Sequence, residues 1–152
     1  MEKIIFKSAT AADVPALRSI AVQSEGIWGS SEDFLRRFND EYNVTEDFVR
    51  DNVVFILLED GEIRGFWGAI PNGRQAELEY LYVAATQIRK GSGKMLWDHM
   101  TDWCRANGIN RVDLVTSQPA VGFYLKAGAV LDGGTRSPVD GREIPRLHYD
   151  IV

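Results

Sequence analysis

The chain has 152 residues, with 17 Lys and Arg against 22 Asp and Glu, for a formal net charge of −5. That length fits one domain, and 45% hydrophobic with 26% charged residues is ordinary globular material, so disorder, collagen and coiled coil are excluded for the chain as a whole. The acidic balance argues against a duplex-binding protein, which would carry a basic stripe.

Residues 4–6 read as a short first strand. Thr10 opens a helix, with Asp13 in a capping-box-like position, and Val14, Leu17 and Ala21 give that helix an apolar face. Gly26 and Gly29 break it. Ser30 or Ser31 caps a second helix carrying Phe34, Leu35 and Phe38, and a third short helix fits residues 45–51. Residues 53–59 and 62–70 are β-rich runs joined by Asp60-Gly61, a strong hairpin signal. After Pro71-Asn72-Gly73, residues 76–83 form the next strand of this meander. A glycine-containing loop, 87–93, leads into a helix with Leu96, Met100, Trp103 and Cys104 on its apolar face. Gly108 ends that helix, and 111–115 is a strand. Pro119 starts another helix, ended by Gly128, and the tail reads as two strands around Asp140-Gly141. The expected product is an α/β (α+β) domain over residues 1–152: a mixed, mostly antiparallel sheet of about six or seven strands with helices on both faces.

One cysteine, Cys104, makes neither an internal disulfide nor a Cys-rich metal site. The longest apolar run, 53–58, is far short of the roughly 20 residues of a membrane helix. The start of the chain shows no signal-peptide core. A soluble cytoplasmic protein, without membrane or nucleic-acid partner, is expected.

The chemistry concentrates in the strand–loop–helix segment 77–96. Backbone N–H groups at a helix start bind anions, and Gly91 and Gly93 let a phosphate approach the backbone. Arg89, Lys90 and Lys94 add positive charge in an otherwise acidic chain. A P-loop does not fit: Met95 stands where Ser or Thr is needed, and Ile88 where the first glycine is needed. A Rossmann fingerprint does not fit either, because Leu96 stands at its third glycine.

The run Ile88-Arg89-Lys90-Gly91-Ser92-Gly93 resembles the phosphate-binding motif (Gln/Arg)-x-x-Gly-x-(Gly/Ala) of the GNAT acyltransferase superfamily, with Ile88 in place of Gln or Arg. Downstream, Ser117 to Ala129 resembles that family's Asn-x-x-Ala-x-x-Phe-Tyr-x-x-x-Gly-Phe motif through Ala120, Phe123, Tyr124 and Gly128. Ser117 replaces the Asn and Ala129 the Phe. Trp28-Gly29, Glu77-Leu78-Glu79 and Ile144-Pro145 are similar to a set of small bacterial members.

The resemblance implies transfer of an acyl group, usually acetyl, from acetyl-CoA to a primary amine of a small molecule or peptide. In that reading the strand before the glycine loop splays from its parallel neighbour. Main-chain groups of Leu81, Tyr82 and Val83 pair with the pantetheine arm, residues Arg89, Lys90, Gly91, Ser92, Gly93 and Lys94 hold the pyrophosphate, and Ser117 and Tyr124 complete the cofactor site. Tyr124 takes the general-acid position near the sulfur. Glu77 and Glu79 are the candidate bases, on one face by strand alternation. Glu77 leads slightly because its spacing to Gly91 matches histone-acetylating relatives. The runner-up is a non-catalytic acetyl-CoA-binding module. Dimers are common in such folds, so a homodimer is left open.

Trp28, Trp67, Tyr80 and Tyr82 are candidates for an amine pocket, since aromatic faces attract cations, but ordinary packing is the favoured reading. Trp97, Trp103 and Cys104 read as core. His99 and His148 are isolated, and no metal-ligand cluster is visible.

Overall fold

Turn and cap chemistry set the element ends. The computed structural model describes residues 3–27, 29–87 and 91–152. Asp60 (φ 50°) and Gly61 (φ 86°) both lie in the left-handed region, as a two-residue hairpin turn demands. They join β2 (Val53–Glu59) to β3 (Glu62–Asn72). Ser31 and Thr45 cap α2 (Glu32–Glu41) and α3 (Glu46–Asp51), each side chain accepting from the N–H three residues on. Ahead of α1 (Val14–Ile27), a short 3₁₀ turn is held by the Asp13 carboxylate, which accepts from the Thr10 N–H at 2.8 Å.

The remaining elements are β1 (Ile4–Ser8), β4 (Gln75–Val83), α4 (Ser92–Ala106), β5 (Arg111–Val115), α5 (Val121–Lys126), β6 (Val130–Arg136) and β7 (Glu143–Asp150). The seven strands form one sheet in the order β1-β2-β3-β4-β5-β7-β6. All neighbours are antiparallel except β4 and β5. The expected mixed sheet is therefore present, with β1 two residues longer than the sequence suggests and the β3–β4 turn shifted past Asn72.

Each face of the sheet carries a core. On one, Leu96, Trp97, Met100 and Cys104 of α4 pack on Leu57, Trp67, Leu78, Val112, Leu114 and Leu147. On the other, Leu17, Ile20 and Ala21 of α1 and Phe38 of α2 pack on Val54, Ile56, Phe66 and Tyr80. Trp67, Tyr80, Trp97 and Cys104 are thus core residues; Trp28 lies outside the described residues.

Two irregularities shape the centre of the sheet. β4 pairs with β5 only over Gln75 to Leu78, so the strands part at Glu79. At the same point β4 bulges against β3: Gly68 opposes Tyr80 and Ala69 opposes Leu78, leaving Glu79 as the extra residue. The bulge changes the facing of everything after it. Leu78 belongs to the α4 core, whereas Tyr80, two residues on, belongs to the α1–α2 core.

Candidate active site

Where β4 and β5 part, a cavity of about 320 Å³ opens. Leu78, Glu79, Leu81 and Tyr82 of β4 form one wall. The β5–α5 connection, with Ser117 and Tyr124, forms another. Glu25 of α1, Phe34, Phe38 and Tyr42 around α2, and the β6–β7 turn with Arg142 close the rest.

The outer edge of β4 matters as much as its side chains. β3 pairs Leu81 with Trp67, Tyr82 with Phe66 and Val83 with Gly65. On the other side, β5 has already departed. The main chain from Glu79 to Val83 therefore presents one edge that no strand covers, which is a surface suited to an extended amide-bearing ligand. Leu81 and Tyr82 also line the cavity; Val83 shares the edge but does not. Gly65 permits the close pairing here: a Cβ on it would stand 2.5 Å from the Tyr82 carbonyl oxygen.

Beside this edge α4 begins. Gly91 is its N-cap, with φ 80°, and the Met95 N–H donates to the Gly91 carbonyl at 3.1 Å. The N–H groups of the preceding first-turn residues have no carbonyl ahead of them inside the helix, so they are available to an anion. A Cβ on Gly93 would lie 3.0 Å from the Phe123 ring, and that ring meets Tyr124 edge-on at 5.1 Å. Helix start and Tyr124 are therefore neighbours through one phenyl ring. The Ser92 side chain is buried and its hydroxyl accepts from Arg64 Nε at 3.0 Å. Lys94 is exposed and pairs with Asp98 at 2.7 Å. Arg89 and Lys90, like Ile88, lie outside the described residues.

Tyr124 is 7% exposed and lines the cavity. Among the described residues its hydroxyl has no hydrogen-bond partner. Burial, and then the charge of Glu25, push its pKa well above the ordinary tyrosine value, so it carries its proton at neutral pH.

The two strand glutamates separate. Glu79 lines the cavity, and its Oε2 accepts from the Tyr42 hydroxyl at 2.7 Å. Glu77 lies outside the lining; its Oε1 is 3.1 Å from Arg146 of β7, in a half-exposed ion pair. Of the two candidate bases, Glu79 is therefore the one at the cavity.

Three cavity residues escaped the sequence reading. Glu25 accepts from the Tyr82 hydroxyl at 2.8 Å. Burial raises its pKa above the usual carboxyl value, against the opposing Tyr82 hydrogen bond and Arg142 charge. Its signal was an acidic residue one turn past Ala21 on the buried stripe of α1. Tyr42 likewise continues the Phe34–Phe38 stripe of α2. Arg142 stands over the Phe34 ring at 5.3 Å, and no local pattern marked it. His99 and His148 stand outside the cavity. Among the described residues no group of three or more metal-ligating side chains is found, and no helix is long and apolar enough to cross a membrane.

The acetyltransferase (GNAT) family model matches residues 15–129. The chain belongs to this family. The uncharacterized N-acetyltransferase YhdJ of Bacillus subtilis is 37% identical over 67 residues, 41% of this chain and 47% of that protein. The match thus spans about half the length of this curated relative. Among solved structures, the PaiA N-acetyltransferase of Thermoplasma acidophilum, in complex with coenzyme A, superimposes with a TM-score of 0.78 at 19% identity, covering 97% of this chain and 99% of that one. The GCN5-related N-acetyltransferase of Rhodopseudomonas palustris gives 0.78 at 17% identity, covering 96% and 94%. The ribosomal-protein-S18-alanine N-acetyltransferase of Escherichia coli gives 0.74 at 19%, covering 98% and 94%. These structures establish the shared GNAT fold.

Proposed function

We propose that the protein is an N-acetyltransferase that uses acetyl-CoA to acetylate a primary amine of a small molecule or peptide. The observation that carries this reading is one juxtaposition. An uncovered strand edge and a buried tyrosine hydroxyl without a partner among the described residues meet at one cavity, and a glycine-capped helix start adjoins that tyrosine through the Phe123 ring. The family membership and the coenzyme A complex of a fold relative support it.

The residues present fit the cosubstrate. The open edge of Leu81, Tyr82 and Val83 offers main-chain donors and acceptors to the pantetheine amides. The first turn of α4, from Gly91 to Lys94, offers N–H groups to the pyrophosphate, with Arg89 and Lys90 adding charge. Ser117 lies on the opposite wall. Acetyl-CoA supplies a thioester carbon open to attack by nitrogen.

The chain's own groups then handle two protons. An alkyl ammonium has a pKa near 10.4 and cannot attack until it loses one. A cavity carboxylate, Glu79 or Glu25, accepts that proton; Glu77 is set outside. As the new C–N bond forms and the C–S bond breaks, Tyr124 donates its hydroxyl proton to the departing sulfur, and the second proton that the nitrogen loses on becoming an amide restores the Tyr124 hydroxyl. Closing the reacting atoms between β4 and α5 excludes water, which strengthens both interactions.

The test is calorimetric titration with acetyl-CoA, with ATP as control, followed by product analysis on a panel of primary amines. Saturable binding of acetyl-CoA alone with acetylated product supports the reading. Binding without turnover on any amine would leave a cosubstrate-binding module instead, and absence of binding would remove both.

A further inference from the structure

The acceptor side of the cavity is built twice over from the same pair of groups. Tyr82 donates to Glu25 at 2.8 Å, and Tyr42 donates to Glu79 at 2.7 Å. Each tyrosine donates to one carboxylate oxygen, and both glutamates line the cavity. Among the described residues neither carboxylate has a Lys, Arg or His nitrogen within 4.0 Å. Other acids of the sheet are neutralised by arginine: Glu77 by Arg146 at 3.1 Å, Asp113 by Arg111 at 3.0 Å and Asp132 by Arg111 at 3.5 Å.

The wall between the two pairs is aromatic. Phe38 lies 5.8 Å from Tyr42 and 6.1 Å from Tyr82, ring centre to ring centre. Carboxylates flanked by aromatic faces attract ammonium groups. The cavity's basic side chain, Arg142, is exposed, stacked on Phe34 and 3.5 Å from Asp140; its charge acts on Glu25 from beyond ion-pair distance. Tyr124, buried and with no hydroxyl partner among the described residues, lines the same space, and Glu25 is the charge that acts on it.

We propose that the acceptor is a diamine, with its reacting nitrogen at Glu25 beside Tyr124 and its second nitrogen held as an ammonium at Glu79 and Tyr42. The proposal rests on the acetyl-transfer reading and narrows its substrate class. The reacting ammonium gives one proton to Glu25 and attacks as a neutral amine, and its second proton leaves as the amide forms and restores the Tyr124 hydroxyl; the other nitrogen of the diamine keeps its proton and charge throughout. Glu79 and Tyr42 thereby act as specificity determinants.

The experiment compares three four-carbon ligands by calorimetry on the coenzyme A-saturated protein: 1,4-diaminobutane, n-butylamine and 4-aminobutyrate. The diamine is expected to bind at least about tenfold more tightly than n-butylamine. Glu79→Gln and Tyr42→Phe should each erode that preference, while Glu77→Gln keeps it. Equal affinity for the two amines, tighter binding of 4-aminobutyrate, or no binding of the diamine overturns the proposal on the wild-type protein alone. Product analysis on the same ligands separates the two readings. A diamine that binds tightly but is not acetylated refutes acetyl transfer and leaves the diamine site standing. Acetylation of n-butylamine and the diamine with equal kcat/KM refutes the diamine site and leaves acetyl transfer standing.

Discussion

Replacing Tyr124 by Phe separates a chemical role from a structural one, because the two predict opposite signs. The residue is 7% exposed, its ring packs edge-on against Trp97 and Phe123 at 5.7 and 5.1 Å, and its hydroxyl has no partner among the described residues. Phe keeps the ring contacts and removes only the hydroxyl. Burying a hydroxyl without a hydrogen bond costs about 1–3 kcal/mol, and in a domain of this size each kcal/mol moves Tm by about 2–4 °C. The variant should therefore hold its Tm or gain several degrees. Loss of general-acid help should lower kcat by about 10²–10⁴-fold while acetyl-CoA affinity stays near wild type. Scanning calorimetry and steady-state kinetics on one preparation give both numbers. Turnover within twofold of wild type would refute the proton-donor assignment. A clear fall in Tm would show that the hydroxyl is bonded in the folded protein.

Gly65→Ala places a Cβ 2.5 Å from the Tyr82 carbonyl oxygen, so β3 and β4 must move apart. Overpacking of this kind costs about 1–3 kcal/mol, and the thermal melt should show it together with weakened acetyl-CoA binding; an unchanged melt would contradict the close strand approach. His99 accepts from Trp67 Nε1 at 3.0 Å through Nδ1 and stacks on Phe6 at 3.8 Å. Burial lowers its pKa below the ordinary 6.5, so the unfolded chain binds its proton first. The stability it contributes is present above pH 6.5 and is lost as pH falls through the folded pKa. Glu25, shifted upward, works with the opposite sign, so the His99 contribution should appear as the difference in Tm-versus-pH slope between wild type and His99→Gln. Identical slopes would remove it. The Cys104 thiol is fully buried, and burial pushes its pKa up to about 11. A thiol reagent at neutral pH should label the native protein far more slowly than the denatured one, and rapid native labelling that abolished activity would contradict its passive place in the core.

Local chemistry made most of the fold legible. Asp60-Gly61 announces its hairpin because both residues adopt positive φ, and Ser31 and Thr45 announce helix starts because their hydroxyls satisfy first-turn N–H groups. The bulge at Glu79 was not legible. Ala76, Leu78 and Tyr80 alternate as apolar residues with or without it, and both faces of the sheet are covered, so a change of face leaves the pattern intact. That Glu79 and not Glu77 lines the cavity was hidden for a related reason. Alternation does put the two on one face, but the partner that takes Glu77 out of the cavity, Arg146, is 69 residues away on β7. Glu25 was legible in principle as an acid on a buried helical stripe. Its partner Tyr82, though, meets it only after the strand has changed face.

That change of face ties the site together. Parallel pairing with β5 ends at Leu78, and the extra residue against β3 is Glu79, the next in the chain. If β4 continued without the bulge, alternation from Leu78 would send Tyr80 and Tyr82 into the α4 core, already filled by Trp97 and Met100. Tyr82 could not then reach Glu25. With the bulge, β4 twists away from β5, which uncovers the edge of Leu81 to Val83 and admits Tyr82 to the α1–α2 side in one movement. The open strand edge and the tyrosine–glutamate wall of the cavity thus both accompany a single inserted residue. A change that removed the bulge would be expected to lose both together, whereas side-chain changes at Glu25 or Tyr42 act on the acceptor wall alone.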